Sequence, residues 1–156
     1  MSWKKEDIVV LSYLRNNARE LLTRISKATQ IPVSTLYDRI KGYEKSFIKR
    51  QTVLLDYEKL GFSVRTKMAI KVPVQKKDAL REHLMKNFSV NSLYKINNGY
   101  DFLVEGVFRN MAQAENFVEE LETLFNTRSV DVYYLLDEIK HEAFLSNPAI
   151  ADMVVC

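Results

Sequence analysis

Catalysis usually draws on a histidine, a cysteine or paired carboxylates at a working spacing, and this chain offers few of them. Its two histidines, His83 and His141, lie far apart, one inside a helical pattern and one beyond the last strand pattern. The single cysteine, Cys156, is the last residue, so neither an intramolecular disulfide nor a thiolate metal site can form within one chain. No nucleophile–base spacing, phosphate-binding glycine loop or metal motif accompanies them. The expectation is a protein that is not an enzyme and carries no cofactor and no metal.

The side chains with usable chemistry are basic, and they are unevenly placed. Residues 1–53 hold 11 Lys and Arg against 5 Asp and Glu, whereas residues 54–156 hold 12 against 15. A basic first third on a mildly acidic remainder implies a polyanion bound at one end. The candidate phosphate contacts are Arg24, Lys27, Lys41, Lys45, Lys49 and Arg50. Ser34, Tyr37 and Asp38 are the residues that would face base edges, with Thr35 also on the DNA-binding side; Arg39 could join them, but it sits near the border of the buried side, where a structural or phosphate role serves at least as well.

Those residues need helices to present them. Ile8, Leu11 and Leu14 predict an amphipathic helix over about Lys5 to Asn16, and Leu21, Ile25 and Ala28 a second over about Leu21 to Thr29. Pro32 suits the first turn of a third helix, about Pro32 to Lys45, because that turn's N–H groups lack intrahelical partners. On a helical wheel Val33, Leu36, Ile40 and Tyr43 fall on one side; Ser34, Tyr37, Asp38, Lys41 and Lys45 fall on the other. Three short helices with a tight turn between the last two outline a helix-turn-helix.

The remainder changes period. From Phe47 to Leu55 the residues are β-branched and basic, and Asp56 to Gly61 reads as a connection. Phe62 to Val74 alternates apolar and polar residues, a strand with one face toward a core. A helix over about Lys77 to Asn87, with Leu80, Leu84 and Phe88 four apart, precedes two strands, about Ser92 to Asn97 and Asp101 to Phe108. They flank a hairpin turn, Asn98-Gly99-Tyr100, in which Gly99 supplies a positive φ. A helix over about Met111 to Phe125, capped by Asn110, and a last strand over about Val130 to Ile139 complete a βαββαβ order. That order is ferredoxin-like, with both helices on one face of an antiparallel sheet. Leu93, Leu103, Val107, Tyr133 and Leu135 are assigned to the opposite face, which predicts a dimer formed through it. The fold class is α+β, divided as a helical domain at 1–53, a hinge at 54–61, a βαββαβ domain at 62–140 and a tail at 141–156.

The charged opening Met-Ser-Trp-Lys-Lys-Glu-Asp is followed by an apolar stretch that breaks at Arg15, too soon for a secretory core. No run approaches a membrane span. A cytoplasmic location, with no membrane partner, is expected.

Ile25-Ser26-Lys27, Ile31 to Lys41, Ile48-Lys49-Arg50, Leu55-Asp56, Lys59 to Phe62, Gly99-Tyr100-Asp101 and Glu138-Ile139-Lys140 together resemble the Lrp/AsnC, or feast/famine, transcription regulators in their archaeal form. The resemblance implies a winged-helix-like reader of a pseudo-palindromic double-stranded operator. A strand-bearing hinge would join it to a ligand-responsive domain of the RAM or ACT type, assembled as dimers and then as tetramers or octamers. It also implies a small-molecule effector, usually an amino acid, held between dimers near Gly99, Tyr100 and Asp101, with Asp101 pairing the ligand ammonium. Gln30 stands where the family commonly has Gly, and Pro32 where it commonly has Ser. The siroheme decarboxylases resemble the same architecture, so a subunit of such an enzyme is one alternative. A ligand-sensing assembly protein without operator DNA is the other.

Overall fold

The computed structural model describes residues 4–154, so Val155 and Cys156 lie outside the described residues. The chain forms two compact units. One holds the chain up to Val53 and again from Ile139 onward, and the other holds Leu54–Glu138.

The first unit is built on three helices, α1 (Lys5–Asn16), α2 (Leu22–Thr29) and α3 (Val33–Ser46). Val10, Ile25, Ile31, Leu36 and Tyr43 close into one core, with Leu11, Leu14, Leu22, Ile40 and Phe47 packed around it. Two expected core positions of α2 do not join it: Leu21 is 69% exposed and Ala28 is exposed. Leu21 is the N-cap of α2 with extended backbone, so Leu22 turns inward in its place. Val33, in the first turn of α3, is exposed as well. Between α2 and α3 the chain reverses through Gln30, whose φ of 59° and ψ of 21° are left-handed. That conformation costs a non-glycine residue about 1–2 kcal/mol. The Gln30 side-chain amide donates to the Lys27 carbonyl at 3.0 Å, which partly offsets the cost.

The tail belongs to this unit. Arg15 of α1 donates to the Phe144 carbonyl at 3.2 Å and pairs with the Glu142 carboxylate. A 3-10 turn at Ala151–Val154 also contacts α1. Residues 48–56 have no regular secondary structure, so the strand-bearing connection implied by resemblance is not present.

The second unit runs β1 (Val64–Lys71), α4 (Lys77–Lys86), β2 (Val90–Lys95), β3 (Phe102–Phe108), α5 (Met111–Phe125) and β4 (Ser129–Tyr134). The strands form one antiparallel sheet in the order β2-β3-β1-β4, the βαββαβ topology expected. Met68, Ile70 and Val72, Phe102, Val104 and Phe108 meet Leu80 and Leu84 of α4 and Ala114, Phe117, Leu121 and Phe125 of α5 in a single core. Asn110 caps α5 by accepting from the Gln113 N–H at 3.0 Å. This satisfies one of the first-turn donors that a helix leaves unpaired.

Several expected boundaries are shorter. β1 spans Val64–Lys71 rather than Phe62 to Val74, because Pro73, which has no N–H to give a ladder, starts a 3-10 turn at Val74–Lys76. β4 ends at Tyr134, not Ile139. Phe88 lies past the end of α4 and is 95% exposed, so it does not continue the Leu80–Leu84 stripe.

Leu93 requires a correction of face. A three-residue turn at Asn98–Tyr100 would set Leu93 opposite Glu105, pointing away from the helices. The turn is a two-residue one, with positive φ at Asn98 (60°) and Gly99 (91°), and it pairs Leu93 with Val104 instead. A one-residue change of register exchanges the two faces of a strand. Leu93 therefore packs on the helix-side core, and Tyr94, paired with Leu103, takes the outward position.

Gly106 leaves no room for a side chain. A Cβ there would stand 2.5 Å from the ring of buried Phe108 and 3.0 Å from Thr66 Oγ1. Gly106→Ala is therefore expected to destabilise the second unit by about 1–3 kcal/mol in denaturant unfolding. Conversely, Gln30→Gly relieves the left-handed strain and should stabilise the first unit by about 1 kcal/mol in the same measurement, net of the lost side-chain bond. Loss of stability in that variant would mean that the Gln30–Lys27 bond outweighs the strain.

Candidate nucleic-acid interface and effector site

The outward side of α3 follows from what its inward side must do. Leu36 and Tyr43 are buried and Ile40 is half-buried, which fixes the rotation of the helix. Ser34, Tyr37, Asp38, Lys41 and Lys45 are then exposed along one stripe at spacings of three and four. Thr35, one position off the stripe, is exposed too. The Lys41 ammonium lies 4.4 Å over the Tyr37 ring centroid, which holds both side chains up from the helix surface.

Rotation is locked further by a polar clamp to α1. Asp7 accepts the Tyr43 hydroxyl on Oδ1 at 2.6 Å, and the same oxygen lies 3.4 Å from the Arg39 guanidinium. Arg39 also pairs with Glu6 at 2.9 Å. The hydrogen bond to Glu6 raises the Arg39 guanidinium further above its ordinary value. Burial, and then the bond to Asp7, push the Tyr43 phenol up. Arg39 is thus engaged in holding α3 against α1, the structural role, rather than standing free for a base edge or phosphate.

The remaining basic candidates are differently placed. Arg24 is exposed and pairs with Glu20 one helical turn earlier at 3.3 Å. Lys27 is exposed on α2, and Lys49 and Arg50 are exposed just past α3. Among the described residues, no carboxylate lies within ion-pair distance of Lys27, Lys41, Lys45, Lys49 or Arg50. Their charge is uncompensated and faces water, which suits a polyanion.

At the turn between β2 and β3, Gly99 and its neighbours do three different things. Gly99 is a hairpin glycine at φ 91° with open space around it. Tyr100 donates its hydroxyl to Asp131, whose other oxygen accepts from Ser129 at 3.0 Å. That bond to Asp131 raises the Tyr100 phenol. Asp101 is buried, and its carboxylate is already engaged. Oδ2 accepts the Val72 N–H at 3.0 Å, while Oδ1 meets the Lys77 ammonium at 2.6 Å and that of Lys71 at 3.7 Å. Burial works against the charged form, yet the Lys77 bond, the Val72 N–H and the Lys71 charge overcome it and hold the carboxyl below the usual carboxylate range. One carboxylate therefore joins the end of β1, the start of β3 and the first turn of α4. Lys71 and Lys77 were not singled out in the sequence, and a lysine opening a helix, where the dipole disfavours it, was the available signal.

On the sheet face away from the helices, Leu103 and Val107 are half-buried, and Tyr94, Tyr133 and Leu135 are exposed. Arg65 crosses this face to reach buried Glu105 at 3.0 Å. Among the described residues no three His, Cys, Asp or Glu side chains converge as a metal site would require, and no helix is long and apolar enough to cross a membrane.

Comparison with known proteins agrees with this geometry. Residues 68–144 match the Lrp/AsnC ligand binding domain. An HTH-type transcriptional regulator of Pyrococcus horikoshii is 27% identical over 137 residues, 87% of this chain and 93% of its own. The regulator FL11 of the same organism is 29% identical over 114 residues, covering 72% of this chain and 76% of its own. Among solved structures, a Neisseria meningitidis transcriptional regulator in complex with L-Met superposes with a TM-score of 0.83 at 20% identity, over 90% of this chain and 94% of that one. LrpC of Bacillus subtilis superposes with 0.81 at 15% identity, over 90% and 99%.

The depressed Asp101 carboxyl carries a pH signature. Its contribution to stability is complete above the ordinary Asp value of about 3.9 and is lost as the pH falls through the lower folded-state value. The stability gap between the native chain and Asp101→Asn should therefore be widest near neutral pH and close as the pH falls below about 4. A gap independent of pH would show that the charge of Asp101 does not matter to the fold.

Proposed function

We propose, from the premise that this chain belongs to the Lrp/AsnC family of transcription regulators, that it reads double-stranded DNA with the outward stripe of α3 and answers to a small-molecule effector bound by its second unit. The observation that carries the DNA half is the stripe itself: Ser34, Tyr37, Asp38, Lys41 and Lys45 exposed on a helix whose rotation is fixed by two buried residues and a polar clamp. Ser34, Tyr37 and Asp38 have the donors and acceptors to address base edges in a major groove, and Thr35 sits beside them. Lys27, Lys41, Lys45, Lys49 and Arg50, with Arg24 once it leaves Glu20, supply phosphate contacts. These set position without reading sequence.

A single α3 covers only a short stretch of groove, so a dimer extends the reading. Tyr94, Leu103, Val107, Tyr133 and Leu135 on the outward sheet face offer the apolar surface for a second copy. A two-fold dimer presents two recognition helices to half-sites about 34 Å apart, or a multiple of that, and so reads a pseudo-palindromic operator. Further assembly into tetramers or octamers would place the effector between dimers, close to Gly99, Tyr100 and Asp101. An amino acid is the effector class supported by the Neisseria relative, whose structure holds L-Met. The effector can shift DNA binding only as far as it binds the two arrangements of the assembly with different affinity.

The test is an electrophoretic mobility shift with the DNA upstream of the protein's own gene, repeated across salt concentrations. Affinity should fall steeply with salt through counterion release, and Lys41→Ala and Lys45→Ala should each lower the slope of log affinity against log salt by about 1. Ser34→Ala should weaken the operator complex more than a scrambled sequence, whereas the lysine variants should weaken both alike. No shift of any upstream fragment at low salt would refute the DNA-reading assignment.

A further inference from the structure

Asp101 is the acid that an effector ammonium would seek in the reading above, and on which the following rests, but its carboxylate has nothing to offer a ligand. Its side chain is 8% exposed, one oxygen is held by the Val72 N–H, and the other is shared by two lysines. What this locus presents to solvent is cationic. Lys71 and Lys77 are 33% and 37% exposed, and two ammonium groups stand against one carboxylate, leaving an excess positive charge at the end of β1. The next carboxylate along the sheet edge, Asp131 of β4, is taken up by the hydroxyls of Tyr100 and Ser129.

Placement of Lys77 sharpens the point. It is the first residue of α4, where the positive end of the helix dipole opposes a cation. A buried aspartate compensates for that position. A further ammonium arriving here would meet two lysines, and the carboxylate between them is already engaged.

We propose that the effector site of this chain receives a carboxylate through Lys71 and Lys77, and that Asp101 is a positioning residue which holds those two ammonium groups in place. The ligand class is then a small carboxylic acid, for which an α-ammonium is dispensable. An amino acid would bind with its acid end toward α4, the reverse of the orientation in which Asp101 pairs the ammonium.

Ligand chemistry decides it on the intact chain. Thermal stabilisation is measured with the twenty amino acids and, for each one that stabilises, with the matching 2-oxo acid and the matching decarboxylated amine. The 2-oxo acid should keep the stabilisation and the amine should lose it. Lys71→Gln and Lys77→Gln should each weaken binding of the acid by about tenfold, the loss of one charge-assisted hydrogen bond. Comparison of the ligands on unmodified protein keeps the test open even where a variant folds poorly. Stabilisation by the amine but not the 2-oxo acid would overturn this assignment while leaving an effector site at the turn. A panel in which no acid stabilises the protein would overturn the assignment and the effector reading together, with the DNA-binding result standing apart from both.

Discussion

The second unit depends on the central strand β1, which is paired with β3 on one side and β4 on the other and has one face committed to the helices. Thr66, Met68 and Ile70 are buried toward the helices, and Arg65, Lys67 and Lys71 alternate onto the other side. Period-2 alternation leaves no latitude, since a slip by one residue would exchange the core for the charges. α4 and α5 can cover only one face, so the other must stay wet or meet a partner. The same alternation delivers Lys71 to the outward face just before Val72 turns in to give its N–H to Asp101. Core, outward sheet face and the Asp101–Lys71–Lys77 cluster are thus consequences of one register.

The first unit obeys a different constraint. Three short helices bury few side chains, and a basic face cannot contribute to the core. Orientation of α3 is secured instead by Leu36 and Tyr43 from below and by the Asp7–Tyr43 and Glu6–Arg39 contacts from the side. A recognition surface requires this rigidity, because groups held by loose side chains of a loosely rotated helix cannot address base edges selectively. Arg39 shows a division of labour: its charge serves the scaffold through Glu6 and Asp7, whereas Lys41 and Lys45 stay exposed along the stripe.

Legibility of the sequence tracked how locally each feature is encoded. α1 and α5 have the ends expected of them, because apolar spacing within one helix and, for α5, an Asn cap fix an end without reference to anything distant. The βαββαβ order was legible for the same reason. Leu93 faces the helices against expectation because Asn98-Gly99-Tyr100 does not reveal whether two or three residues make the turn, and one residue decides the face. Leu21 and Ala28 are exposed against expectation because a two-turn helix supports several rotations equally, and tertiary packing selects the one that turns Ile25 and Leu22 inward. The occupancy of Asp101 was out of reach, since Lys71, Lys77 and Val72 come together with it only through the closure of the sheet.

The outward side of α3 and its flanking lysines form the surface proposed to meet DNA. Lysine-modification footprinting of the intact protein, with and without an upstream DNA duplex, tests it most directly. DNA should protect Lys27, Lys41, Lys45 and Lys49 and leave Lys67, Lys71 and Lys86 as reactive as before. Protection confined to the lysines of the second unit, with those of α3 still reactive, would contradict it.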